Sequence, residues 1–175
     1  MDHLDLMPLI RAARPEDIPK LAPIERSAAS IFREANLAWV AEGETLSPAS
    51  LADFCRDGSL WVAVTDDDEP VGFLAAHELD EAFFIAEVSV SMSHQRQGIG
   101  THLISTTMKY ARSAGFRVMT LTTYRDLAWN GLFYIKLGFS EINAEDAGPG
   151  HLRKVCEEAK AGHDPARRCI MAKRL

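Results

Sequence analysis

Apolar positions along the chain follow two periods, and the places where one gives way to the other mark the elements. Leu9 to Ala13 reads as a short first strand. Arg14-Pro15-Glu16-Asp17 then has the form of a helix start, with proline early and acids in the first turn. Ile18, Leu21, Ile24, Ala28 and Ile31 recur at the spacing of one buried helix face. Ser47-Pro48 begins a short helix carrying Leu51 and Phe54, closed near Gly58. Leu60 to Thr65 and Val71 to His77 are apolar, β-branched runs joined by the solvated acidic turn Asp66 to Pro70. From Phe83 to Met92 the pattern alternates strictly. Phe84, Ala86, Val88, Val90 and Met92 form an apolar face, while Phe83, Ile85, Glu87, Ser89 and Ser91 form one that turns polar toward its end. Such a strand often borders a site rather than a core.

The helical period returns from Gly98 to Ala114, with Ile99, Leu103, Thr107, Tyr110, Ala111 and Ala114 on one stripe and Gly115 as the stop. A strand over Val118 to Thr123, a short helix over Trp129 to Lys136 ended by Gly138, and a strand over Phe139 to Ile142 follow. After Gly148-Pro149-Gly150 come a polar helix, His151 to Lys160, and a last strand, Arg168 to Ala172. Strands and helices mix throughout, which predicts an α/β (α+β) fold with a mixed sheet.

At 175 residues the chain is expected to form a single domain over 1–175. With 47% hydrophobic and 25% charged residues it has the balance of a folded domain. Its 19 basic and 25 acidic residues give a formal net charge of −6, which argues against a nucleic-acid partner and suits a cationic one. Cys55, Cys156 and Cys169 lie far apart, and the six histidines lack metal-ligand spacing, so neither a disulfide framework nor a metal site is expected. No apolar stretch is long enough to span a bilayer, and Met1 to Ile10 lacks the build of an export signal, so no membrane partner and a cytoplasmic location are expected.

The segment His94 to Thr101 joins the alternating strand to its helix and carries Gly98 and Gly100. Glycines let the backbone close on a ligand, and the first N–H groups of a helix point outward with the positive end of its dipole. A pyrophosphate fits such a cradle. Leu103 stands where a dinucleotide fingerprint wants its third glycine, and a P-loop would need a Gly-Lys pair that is absent. Gln95-x-x-Gly98-x-Gly100 resembles the Q/R-x-x-G-x-G/A signature of GNAT-type N-acetyltransferases; a purely structural glycine turn stays open beside it. Asn130, Tyr134 and Leu137-Gly138-Phe139 resemble the family's second signature, with Asn130 four residues before Tyr134 where many members place an asparagine seven before.

The resemblance implies a mixed, mostly antiparallel sheet with helices on both faces and two splayed central parallel strands, Phe83–Met92 and Val118–Thr123. It implies acetyl-CoA as co-substrate and no metal. The pantetheine arm would pair with backbone at Val88 to Val90, the pyrophosphate would lie on Gln95, Arg96, Gln97, Gly98, Ile99, Gly100 and Thr101, and Asn130 would touch the coenzyme. Tyr134 would protonate the leaving thiolate, the Val90 N–H would steady the oxyanion, and Glu87 would be the general base, with Glu25 or Glu34 as substitutes. His77, Tyr124 and Trp129 either line the acceptor site or pack. The expected acceptor is a primary amine of a small molecule, with a protein N-terminus or lysine, or an idle coenzyme A sensor, as alternatives. A homodimer is the assembly to test.

Overall fold

A computed structural model describes residues 7–175; the expectation for the first ten residues falls partly on residues 1–6, which lie outside the described residues. The order is β1 (Leu9–Ala12), α1 (Ile18–Ala29), α2 (Ala38–Ala41), α3 (Pro48–Arg56), β2 (Leu60–Val64), β3 (Pro70–Leu79), β4 (Ala82–Val90), α4 (Ile99–Ser113), β5 (Val118–Tyr124), α5 (Gly131–Lys136), β6 (Ser140–Ile142), α6 (Ala144–Ala147), α7 (Pro149–Lys160) and β7 (Arg168–Arg174). The strands hydrogen-bond in the order β1-β2-β3-β4-β5-β7-β6. β4 and β5 run parallel, with Phe83 opposite Met119 and Phe84 opposite Thr120 near the start of both strands. β2 runs antiparallel to β1 and β3, and β7 antiparallel to β5 and β6. The mixed, mostly antiparallel sheet of the expected class is therefore present. By compactness the chain divides into Met1–Ala76 with Glu87–Thr107, and His77–Ala86 with Met108–Leu175.

In the first unit, Leu21 and Ile24 of α1 and Leu51 of α3 close over Leu60, Val62 and Val64 of β2 and Phe73 and Ala75 of β3. Each fully buried side chain of this kind contributes about 1.5–3 kcal/mol. All five residues of β2 are buried, so its sequence reads as a continuous apolar run. Ser47 caps α3 by accepting from the Ser50 N–H, as its place before Pro48 implies. Gly72 lets β3 approach its neighbours: a Cβ there would lie 3.0 Å from the Ser89 carbonyl and 3.5 Å from Leu103 Cδ1 of α4. The acidic turn is a turn, but it is ion-paired as well as solvated. Asp68 takes Arg11 and Arg14, each at 2.8 Å, and Arg11 also holds Asp17 at 2.7 Å.

In the second unit β7 pairs β5 along its whole length, from Val118 opposite Arg174 to Tyr124 opposite Arg168. The start of α7 sits on Asp80, in the turn between β3 and β4. The Asp80 carboxylate accepts from the Gly150 N–H at 3.0 Å and the His151 N–H at 2.8 Å, and lies 2.8 Å from His151 Nδ1. His151 is fully buried, with Nε2 at 2.8 Å from Thr120 Oγ1.

Several sequence expectations need correction. α7 begins at Pro149 rather than His151, because a proline suits the first turn and Asp80 takes the next two N–H groups. The chain between the first and second predicted helices forms α2, and α6 precedes α7; both are single turns too short to print a period. On α4 the buried stripe is Ile99, Leu103, Ile104, Thr107, Met108 and Ala111, whereas Tyr110 and Ala114 are exposed. β4 stops at Val90, and Met92 lies in a 3₁₀ turn, Met92–His94, where the Ser27 hydroxyl accepts from its N–H at 2.9 Å. Its burial also reverses the expectation: Ser89 is buried, Val88 and Val90 are half-buried, and Met92 is exposed.

Candidate active site

In the first unit, β4, its turn and the start of α4 form one continuous structure from Glu87 to Thr101. The Ser91 N–H still reaches the Val71 carbonyl, so strand pairing runs to the lip of the turn. The Gln95 side chain donates back to the Val90 carbonyl at 3.0 Å and fastens the turn to the strand. His94 Nδ1 lies 3.1 and 2.9 Å from the Ser91 and Ser93 hydroxyls. Arg96 (φ 63°) and Gly98 (φ 81°) both take the left-handed conformation, which swings the chain into α4. For Gly98 the reason is conformation rather than space, since a Cβ would meet only the end of the Met7 side chain, Cε at 3.4 Å and Sδ at 3.8 Å.

The first intrahelical bond of α4 runs from the His102 N–H to the Gly98 carbonyl. The N–H groups of Ile99, Gly100 and Thr101 therefore lack intrahelical acceptors, as at any helix start, and sit at the positive end of a fifteen-residue helix. A polarised turn ringed by backbone donors, with Arg96 and Gln97 exposed on its rim, suits a pyrophosphate. The expected cradle residues, Gln95 to Thr101, are thus together with Val88 and Val90.

Glu87 lies on β4 within the same unit, half-buried. Its Oε1 accepts from the Ser89 hydroxyl at 2.7 Å, which fixes the carboxylate along the strand. Glu25 lies on α1, half-buried, and accepts from the Leu46 N–H at 2.9 Å. Burial pushes its carboxyl above the usual range, partly offset by that N–H and by Arg26. Glu34 is exposed.

The second unit holds Asn130 and Tyr134. Asn130 precedes α5, accepts from the Tyr134 N–H through its carbonyl at 3.0 Å, and spends its side-chain amide on the Trp129 carbonyl at 3.0 Å. Tyr134 is buried, edge-on to Phe133 and Phe139. Phe133 faces it across 5.1 Å between ring centres. Of the three residues with two readings, Tyr124 packs. It is 1% exposed, its hydroxyl lies 2.6 Å from His163 Nδ1, and the Arg167 and Arg168 guanidiniums sit 5.3 and 4.8 Å from its ring centre. His77 is exposed, with Nδ1 at 2.8 Å from the Glu78 carbonyl and its ring against Phe84. Trp129 is half-buried in the loop before α5.

None of the cysteines has the setting of a nucleophile. Cys169 is buried, and burial pushes its thiol up to about 11. Cys55 donates to the Ala13 carbonyl at 3.4 Å, and Cys156 is exposed on α7. Among the described residues no cluster of histidine, cysteine or acid suits a metal ion, and no helix is long and apolar enough to cross a membrane. The sequence missed the Asp80–His151–Thr120 and Tyr124–His163 networks; their members are 31 to 71 residues apart, beyond any local signal.

Solved structures carry this fold. The PaiA N-acetyltransferase of Thermoplasma acidophilum, crystallised with coenzyme A, aligns with a TM-score of 0.70 over 95% of this chain and 98% of its own, at 17% identity. The ribosomal-protein-S18-alanine N-acetyltransferase of Escherichia coli aligns with a TM-score of 0.66 over 96% and 94%, at 17% identity. At such identities the likeness speaks for the fold alone. In sequence, the chain is 34% identical over 133 residues to the peptidyl-lysine N-acetyltransferase YjaB of Salmonella typhimurium, covering 74% of this chain and 81% of the relative. The profile of the acetyltransferase (GNAT) family matches residues 28–139, a span that takes in β4, the glycine turn, α4, Asn130 and Tyr134. The chain belongs to the acetyltransferase (GNAT) family.

Proposed function

We propose that the chain is an acetyl-CoA-dependent N-acetyltransferase that passes the acetyl group directly to a primary amine. The observation that carries this reading is the turn from Gln95 to Thr101, with left-handed Gly98 and the donor end of α4. Acetyl-CoA supplies the activated acetyl group as a thioester. The N–H groups of Ile99, Gly100 and Thr101 hold its pyrophosphate, with Arg96 and Gln97 at the rim, and Val88 and Val90 offer strand backbone to its arm. The Val90 N–H steadies the oxyanion that forms at the carbonyl. Glu87, steadied by Ser89, takes the proton that the acceptor ammonium must lose. Tyr134 gives its phenolic proton to the departing thiolate. Asn130, whose amide donates to the Trp129 carbonyl, touches the coenzyme from the entry to α5.

A small amine and a lysine side chain present the same ammonium to this chemistry, and the net charge of −6 suits both. No observation favours the small molecule, whereas the 34%-identical relative is a peptidyl-lysine N-acetyltransferase, so lysine peptides are the acceptor to test first. The test presents acetyl-CoA with small amines, lysine peptides and free N-terminal peptides, reading thiol release together with the mass of the product. Turnover with lysine peptides alone assigns the protein acceptor, and turnover with amines alone the small one. Tight acetyl-CoA binding with no acceptor turned over would overturn the enzyme reading in favour of a coenzyme-binding sensor.

A further inference from the structure

Tyr134 lies on a helix of only six residues, which has little stability of its own and must be placed by what it rests on. It rests on the end of β5. A Cβ on Gly131, the first residue of α5, would lie 2.6 Å from the Arg125 carbonyl oxygen, 2.7 Å from Arg125 Cα and 2.9 Å from its carbonyl carbon. The helix start is thus seated directly on the Arg125 backbone, and Tyr134 follows one turn later. Arg125 is fastened from the other side. Its N–H donates to the Arg167 carbonyl at 2.9 Å, its guanidinium donates to the Ala166 carbonyl, and it pairs with Glu141 at 2.5 Å.

The neighbouring Tyr124 is fastened harder still. Its ring lies against the Arg167 and Arg168 guanidiniums, and its hydroxyl is 2.6 Å from His163 Nδ1, in the loop after α7. Burial pushes the phenol up and the imidazole down, the latter with help from Arg168, so the phenol is the donor and the neutral imidazole the acceptor. Arg168 is itself held by Glu158 at 3.0 Å, and Glu158 also accepts from Thr122 at 2.6 Å.

We propose that Tyr124 and Arg125 form a seat that fixes the position of Tyr134, and that His163 locks this seat through the Tyr124 hydroxyl. Tyr124 and His163 are positioning residues; neither meets the reacting atoms. The inference rests on the reading of Tyr134 as the acid.

The test compares kcat and KM for Tyr124→Phe, Tyr134→Phe and the double variant. Tyr124→Phe keeps the ring under both guanidiniums and removes only the hydroxyl. It should lower kcat about fivefold to tenfold, the scale of one hydrogen bond, with KM for acetyl-CoA unchanged. In the Tyr134→Phe background that loss should vanish, because there is no acid left to misplace. His163→Asn, whose side-chain oxygen can stand where Nδ1 stands, should keep the rate, and His163→Leu should match Tyr124→Phe. A Tyr124→Phe protein at the full rate, or the same loss in both backgrounds, overturns the seat while leaving the acid reading intact. A Tyr134→Phe protein at the full rate removes the acid reading, and the seat with it.

Discussion

Removing the Asp80 carboxylate should destabilise the second unit, and the amount follows from its bonds. Asp80 accepts two N–H groups from the first turn of α7, Gly150 at 3.0 Å and His151 at 2.8 Å, and a third bond comes from His151 Nδ1 at 2.8 Å. Losing such a cap typically costs about 0.5–2 kcal/mol. The imidazole left behind is 0% exposed, and an unpaired buried donor adds about 1–3 kcal/mol. Asp80→Ala should therefore destabilise by about 1.5–5 kcal/mol, which for a chain of this size lowers Tm by about 3–20 °C. Asp80→Asn keeps an acceptor for one N–H and should lose about half as much.

Urea denaturation followed by circular dichroism reads both variants, and Asp80→Ala within about 1 kcal/mol of the parent would refute the reasoning. The pH dependence has a fixed sign. Burial tends to raise the Asp80 carboxyl, but the three bonds from His151 and Gly150 outweigh it and hold the group below the usual carboxylate range. Its contribution is then fully present above pH about 4 and is lost as the pH falls through the depressed native value. Asp80→Asn should remove that part of the acid sensitivity.

Three further outcomes bear on the chemistry. Gly98→Asp places a carboxylate where the proposed cradle would hold the pyrophosphate and a side chain where φ is 81°, so titration calorimetry should find acetyl-CoA binding abolished; unchanged affinity in a folded variant would sink the cradle. Tyr134→Phe should lower kcat within the range of about 10²–10⁴-fold typical of a proton-transfer residue, at unchanged acetyl-CoA affinity, and a wild-type rate would leave Tyr134 as packing. Glu87→Gln should shift or erase the acidic limb of the kcat/KM profile while the melt stays put. If the limb survives there and disappears in Glu25→Gln, the base is the half-buried carboxylate of α1, whose raised pKa already lies on the basic side of an ordinary glutamate.

What could be read from the sequence was local. The glycine turn announced itself because Gly98, Gly100 and the helix they open are neighbours in the chain, and the hairpin of β2 and β3 because apolar runs flank five turn residues. What stayed hidden depends on partners far away. Alternation placed Val88 and Ser89 on opposite faces of β4, but it does not say which face the rest of the chain covers, and it is Ser89 that is buried. Tyr124 looked as ready to line a pocket as to pack, since nothing near it in sequence marks His163, Arg167 and Arg168 as its surroundings. Nothing near Asp80 in the sequence marks it as a helix anchor; its partners, the Gly150 and His151 N–H groups, lie 70 and 71 residues further on.

The three thiols form a graded set of chemical reporters. A thiol-reactive dye used to follow release of coenzyme A will meet Cys156 at once, since it is the exposed cysteine, and will show a burst of one equivalent per chain that no acceptor changes. Cys55, half-buried and bonded to the Ala13 carbonyl, should follow slowly as the start of the first unit breathes. Cys169, buried on β7 with its thiol pushed up to about 11, should stay silent until that strand opens. In an Asp80→Ala protein the dye would thus time the opening of the second unit in the same cuvette that follows turnover.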